Sequence, residues 1–260
     1  MKKVLTIAGS DCSGGAGIQA DLKTMTAHKV YGMSVITALT AQNTTGVYGV
    51  LETSPEFVAQ QIDCVMSDIF PDAIKIGMVS SSKIIHVIAE KLREYPVKNV
   101  VVDPVMVSTS GSKLLSDDAV EALTKELLPL ADVLTPNIPE AEVLSGISIT
   151  NREEMVQAAE TLAQQFRGDI LIKGGHLESS ADDLLYQRGG RPVWYPAERV
   201  NNPNTHGTGC TLSSAIACGL AQGLTKRESV EQAKQYIITA LKAQLNLGKG
   251  SGPLNHCCIL

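Results

Sequence analysis

Short runs of aliphatic and β-branched residues alternate along the chain with longer segments whose apolar positions recur at helical spacing. Residues 4–8 read as a buried strand, and 14–29 as a helix with Ile18, Leu22, Met25 and Thr26 near the helical period. A second strand is expected at 33–39. Ser54-Pro55-Glu56 has the form of a helix start, an N-cap with proline at the first helical position, and that helix should run to about residue 69. Further strands are expected at 73–76, 99–102, 132–134 and 169–172, separated by helices at 81–95, 117–128, 139–144 and 151–165. Residues 184–186 and 193–195 read as a hairpin around Gly189-Gly190. Helices at 207–223 and 225–247 close the pattern.

Such alternation predicts an α/β fold, a mostly parallel central sheet flanked by helices on both faces. No composition shift, linker or internal repeat divides the chain, so a single domain over residues 1–260 is expected. The core must be aliphatic, because only 4% of the residues are aromatic while 44% are apolar.

Charge narrows the function. The net charge is −5 and no dense Lys/Arg run occurs, which argues against nucleic acid as a partner. No stretch approaches the ~20 apolar residues that span a bilayer. The first apolar run breaks at Gly9-Ser10-Asp11, so it reads as a strand rather than a signal segment. The six cysteines form no CxxC pair, so structural zinc is not expected, and reduced thiols in a cytoplasmic protein are. Cys257-Cys258-Ile259-Leu260 formally fits a prenylation box, but no polybasic segment precedes it and lipidation is not expected.

Ligands of open α/β sheets bind beyond the carboxyl ends of the strands. Polar and glycine residues gather at those ends here: Gly9-Ser10-Asp11, Thr40 to Thr44, Lys75 to Met78, Asp103, Asn137 and Lys173. Turns favour such residues in any case, so their joint occurrence carries more weight than any one of them. The strongest local signal is Asn204 to Ala215, where glycines run into a helix of small residues. Backbone N–H groups and roughly half a positive charge at such a helix start suit a phosphate, or a phosphoryl group in transfer. The competing reading is a tight turn packed on the sheet. Cys210 lies in the first turn, where a helix N-terminus should lower a thiol's pKa and let it accept a proton. Cys218 reads instead as a buried structural cysteine.

Gly15-Ala16-Gly17-Ile18-Gln19-Ala20 matches a dinucleotide fingerprint, but the acidic residue expected about 20 positions on is absent. An NAD-linked oxidoreductase is therefore the weaker reading. No P-loop occurs either, so a kinase of this sequence needs another phosphate cradle, and residues 207–210 supply one.

The motifs Ala8 to Lys23, Thr40 to Thr44, Lys75 to Met78, Val102 to Met106, Thr135-Pro136-Asn137 with Glu140, Lys173 to His176, and His206 to Ala215 together resemble the ribokinase-like superfamily. Within it the chain is similar, over its whole length, to the hydroxymethylpyrimidine/phosphomethylpyrimidine kinases of thiamine biosynthesis. The resemblance implies a ribokinase-like fold and transfer of phosphate from ATP, with Mg²⁺, to a hydroxymethylpyrimidine and to its monophosphate. It implies that Gln42 pairs with the aminopyrimidine and that Gly9, Asp21, Met78 and Val105 line the same pocket. It implies that Asp103, Asn137, Lys173 and Thr208 serve the nucleotide, with Glu140 and Asp103 near the metal. It implies that Gly207, Thr208 and Gly209 form the anion hole and that Cys210 stands as the base where sugar kinases of this fold carry aspartate. A homodimer is expected by the same analogy. Pyridoxal, pyridoxine or pyridoxamine kinase is the alternative, and a nucleotide-binding module without catalysis is a further rival. His206 is ascribed either to an anionic acceptor or to a turn carbonyl, and residues 108–113 are the candidate lid.

Overall fold

The computed structural model describes residues 1–106, 115–176, 181–196 and 200–258. Their strands are β1 (Lys3–Asp11), β2 (Tyr31–Asn43), β3 (Gly46–Glu52), β4 (Ala73–Ile76), β5 (Val100–Val102), β6 (Val133–Leu134), β7 (Asp169–Ile172), β8 (Asp183–Tyr186) and β9 (Val193–Tyr195). The helices are α1 (Gly17–Ala27), α2 (Pro55–Asp68), α3 (Ser82–Glu94), α4 (Asp117–Ala122), α5 (Ile138–Ser145), α6 (Arg152–Gln165), α7 (Thr208–Ala221) and α8 (Lys226–Lys242). The strands join one sheet in the order β3-β2-β1-β4-β5-β6-β7-β8-β9. From β2 to β7 every pairing is parallel, and antiparallel strands finish both edges. This is the ribokinase-like α/β architecture.

Two cores follow from the pleat, which sends successive side chains to opposite faces. Leu5, Ile7, Val100, Val102, Ile170 and Ile172 pack on one face with Val58 of α2, Ile85 of α3 and Leu162 of α6. Val4, Val101, Leu171 and Leu185 pack on the other with Met25 of α1, Leu212 and Ile216 of α7, and Val230 of α8.

The helix starts obey local chemistry. Ser54 Oγ accepts from the Phe57 N–H (3.2 Å) ahead of Pro55. Asn137 with Glu140, and Thr225 with Glu228, form reciprocal capping boxes.

Several boundaries differ from those expected. The helix at 117–128 is α-helical only to Ala122; a π turn (Leu123–Leu127) and a short 3-10 turn (Leu128–Leu130) follow. Pro129 lies just past the predicted end, and a helix carried up to it would bring its ring against the carbonyl four residues back. α1 starts at Gly17 because Gly14 turns with φ +83°. β3 was not expected: most of it is exposed, so no burial period marks it. The candidate lid at 108–113, and Ile259 and Leu260 of the prenylation box, lie outside the described residues.

β1 has β2 on one side and β4 on the other, and the connecting helices cover opposite faces. This reversal opens a crevice at the carboxyl ends of β1 and β4, where a ligand site belongs.

Candidate active site

On one side of the crevice, a Cβ added at Gly9 would stand 3.0 Å from Met78 Cε, so glycine lets the end of β1 meet the end of β4. Gln42 lies at the end of β2. Its backbone is held by Cys12, whose Sγ donates to the Gln42 carbonyl (3.1 Å) and accepts its N–H (3.3 Å). Thr40 Oγ1 and His206 Nε2 contact its side-chain amide at 3.1 and 3.2 Å. Val105 is half-buried just beyond β5, its N–H donating to the Asp103 carbonyl (2.8 Å).

Asp21, expected on the pocket wall, lies beneath it. Its side chain is fully buried and accepts from Thr6 Oγ1 (2.6 Å), Ser214 Oγ (2.8 Å) and Lys75 Nζ (2.8 and 2.9 Å). Burial works against the Lys75 ammonium, yet Asp21, with Cys210 and Asp103 behind it, holds its pKa above the ordinary lysine range.

On the other side, Asp103 at the end of β5 pairs with Lys173 at the end of β7 (2.7 Å) and accepts from Thr135 Oγ1 (3.2 Å). Glu140 is buried in the first turn of α5, taking N–H groups from Asn137 (2.8 Å) and Met106 (3.4 Å). Asn137 is tied to this corner too: its Oδ1 caps Glu140 N–H (2.9 Å), and its backbone bridges to that of Lys173. Burial, reinforced by Asp103 and only partly offset by Lys173, pushes Glu140 up to about 7.

Between these sides stands the start of α7. Gly207 adopts φ +85°, and a Cβ there would lie 1.9 Å from the Gly15 carbonyl oxygen. The next glycine, Gly209, leaves room for the ion pair: an added Cβ would sit 3.2 Å from Asp103 Oδ2 and 3.5 Å from Lys173 Nζ. Thr208 Oγ1 donates to the Thr205 carbonyl (2.8 Å), tightening the turn. No side chain caps this helix; the Thr208 N–H turns back to the Thr205 carbonyl (3.2 Å), and the helix dipole faces the junction of the two halves.

Cys210 follows in the first turn of α7. Gly17 N–H donates to its sulfur, and Lys75, Asp21 and Asp103 act on it electrostatically. The expected lowering of its pKa is overturned. Burial first, then Asp21 and Asp103, push the thiol up to about 11 against Lys75 and the Gly17 N–H. At neutral pH the resting group is a thiol. Cys218 is fully buried in the core, as expected of it.

Sequence reasoning left Asp11, Lys75 and Thr135 without roles, and of its two readings of His206 the turn carbonyl does not hold. His206 Nε2 meets the Asp11 carboxylate at 2.9 Å rather than a turn carbonyl. The glycines of the dinucleotide-like motif are explained by close packing. A Cβ at Gly17 would stand 2.3 Å from the Gly9 carbonyl oxygen, and one at Gly15 would stand 2.5 Å from His206 Cδ2.

The family model described as Phosphomethylpyrimidine kinase matches residues 11–255. A hydroxymethylpyrimidine/phosphomethylpyrimidine kinase of Rhizobium meliloti is 52% identical, over 97% of this chain and 96% of its own length. A thiamine biosynthesis bifunctional protein of Geobacter sulfurreducens is 51% identical over 97% of this chain, which spans 52% of that longer protein. Among solved structures, a pyridoxal kinase of Bacillus subtilis in complex with ADP aligns with TM-score 0.91 at 37% identity, covering 100% of this chain and 98% of its own. Matched by the family model over nearly its whole length, this chain belongs to the phosphomethylpyrimidine kinase family.

Proposed function

We propose that this chain transfers the γ-phosphoryl group of ATP to the hydroxymethyl group of 4-amino-5-hydroxymethyl-2-methylpyrimidine, and then a second phosphoryl to the monophosphate, in thiamine biosynthesis. One observation carries the reading. The α7 start at 207–210 stands between an acceptor side built on Gly9, Gln42 and Met78 and a charged side built on Asp103, Glu140 and Lys173. Phosphoryl transfer asks mainly for positioning and for charge stabilisation, and both are present.

Lys173 offsets phosphate charge, and Gly207 and Gly209 present N–H groups to the group in flight, the Thr208 N–H being held by the Thr205 carbonyl (3.2 Å). Asn137 and Thr208 border the nucleotide. Magnesium fits the donor set: Asp103 and Glu140 compete for Lys173, and Glu140 is left half-protonated near neutrality. Two carboxylates beside phosphate oxygens are an ordinary Mg²⁺ environment. When bound, the ion would neutralise charge on the phosphates. Cys210 takes the hydroxyl proton only as a thiolate, its own proton having gone to solvent beforehand; Lys75 and the Gly17 N–H favour that form and burial opposes it. The loose transition state asks for little nucleophile activation.

The pyridoxal kinase likeness makes pyridoxal the competing acceptor. Gln42 favours the pyrimidine, because an amide offers the donor and acceptor that an aminopyrimidine edge requires. Cytoplasmic location and pairing with a second copy belong to the same proposal. The apolar groups that a partner would cover are Leu39, Val47, Tyr48, Val50 and Leu51, all exposed at the β2–β3 edge.

The test is ATP consumption with the hydroxymethylpyrimidine, its monophosphate and pyridoxal side by side. Higher kcat/KM on both pyrimidines is expected; a preference for pyridoxal would overturn the acceptor assignment. Cys210→Ala should keep the fold and lose most turnover, and near-normal turnover would refute the proton role.

A further inference from the structure

Asp11, His206 and Gln42 come from three distant stretches of the chain and meet at the acceptor side. The Asp11 carboxylate is saturated. Oδ1 accepts from Ser13 N–H (2.9 Å) and Ser13 Oγ (2.8 Å), while Oδ2 accepts from Gly15 N–H (3.1 Å), Ala16 N–H (2.9 Å) and His206 Nε2 (2.9 Å). Burial opposes its charge, yet the bonds from His206, Ser13 and Ala16 hold its pKa well below the usual carboxylate range. A carboxylate has no proton to give, so the proton of the shared bond sits on His206 Nε2.

That proton constrains Gln42. With Gln42 Nε2 placed 3.2 Å from His206 Nε2, two donors would face each other. A half-turn of the amide, whose two ends have nearly the same outline, removes the conflict. The carbonyl oxygen then shares the one Nε2–H with Asp11 in a three-centre bond, Asp11 being the nearer acceptor at 2.9 Å. The NH₂ then faces Thr40 Oγ1 at the 3.1 Å contact, and Thr40 passes its own proton to the Ser10 carbonyl (2.9 Å). One N–H and one carbonyl lone pair remain unspent, the complement of an amino group beside a ring nitrogen.

We infer that Asp11 and His206 form a positioning pair that fixes which way the Gln42 amide faces, and so fixes recognition of the aminopyrimidine. The inference rests on the proposal above that Gln42 reads that edge. Packing holds the imidazole in place. A Cβ at Gly15 would stand 2.5 Å from His206 Cδ2 and 3.3 Å from Pro253 Cβ, and the His206 N–H donates to the Gly252 carbonyl (3.2 Å). Gly15 is the residue that leaves space for the ring.

The experiment is a double-mutant cycle read by steady-state kinetics at saturating ATP and Mg²⁺. His206→Ala should raise KM for the hydroxymethylpyrimidine by about tenfold, the scale of one hydrogen bond to a polar partner, with kcat and KM for ATP little moved. Gln42→Ala should raise the same KM, and the double variant should be no worse than Gln42→Ala alone. His206→Gln, which keeps an N–H donor, should recover part of the loss and carries the cycle if the alanine variant does not fold. Gly15→Ala, which crowds the ring, should shift KM in the same direction. Multiplying effects in the double variant, or equal damage to kcat and to KM for ATP, would overturn the positioning role. A silent Gln42→Ala overturns the Gln42 reading and this inference with it. A silent His206→Ala beside a damaging Gln42→Ala overturns the positioning pair alone.

Discussion

Replacing Lys75 with methionine strands the Asp21 carboxylate in a site closed to water. Both side chains of this pair are fully buried, and Asp21 receives two contacts from Lys75 at 2.8 and 2.9 Å. Removing one partner of such a pair costs about 3–5 kcal/mol. Thr6 and Ser214 still donate to Asp21, which places this case at the low end. A loss of about 3 kcal/mol lowers the melting temperature of a chain of this size by about 6–12 °C. Thermal unfolding followed by circular dichroism measures it. High salt should change the difference little, because the pair is shielded from the solvent that carries the ions. Asp21→Asn combined with Lys75→Met removes both charges and should regain most of the loss. Turnover should fall as well, since Lys75 pulls the Cys210 thiol downward and its loss lifts that thiol further. The reasoning is refuted if Lys75→Met melts with the unaltered chain, or if the double variant is no more stable than the single one.

Two further outcomes follow from the charged side and the turn. Folding raises Glu140 from its ordinary 4.5 to about 7, so the folded chain keeps a proton that the unfolded chain releases. That contribution to stability is present below about 4.5 and is lost as pH climbs to about 7. Mg²⁺–nucleotide binding wants the ionised carboxylate, so affinity should rise over this window with proton release. Calorimetry in buffers of differing ionisation enthalpy detects the released proton, and Glu140→Gln should abolish it. Gly207→Ala forces a side chain to φ +85° and toward the Gly15 carbonyl, 1.9 Å from the new Cβ. It should lose at least the ~1–2 kcal/mol of a left-handed residue in a melting experiment, and kcat by about 10²-fold or more through the displaced N–H groups.

Much of this was legible in the chain. The strand at Ala73–Ile76 and that at Asp169–Ile172 fall where expected, because continuous buried runs bounded by polar turns leave little choice. The cradle at Gly207 was legible because glycines and a helix start coincide locally. Partnerships across the fold were not. Asp11 and His206 are 195 positions apart, and Asp21 and Lys75 are 54 apart, so no local period links either pair. The Cys210 thiol misled for the same reason: a helix start is visible in sequence, whereas the burial that outweighs it, and the two carboxylates that add to it from α1 and the end of β5, arise only in the fold. β3 escaped notice because glycines interrupt it and no alternation of burial marks it.

The position of α7 has a consequence for a chain emerging from the ribosome. This helix closes over β1, β4 and β5, all made within the first 102 residues, yet it begins only at Thr208. Until that later segment arrives, Val4, Ala73, Val101, Val133 and Leu171 have no Leu212 or Ile216 to cover them. The nascent sheet is thus greasy on one side for most of its synthesis, and the phosphate cradle is delivered by the very segment that ends this exposure.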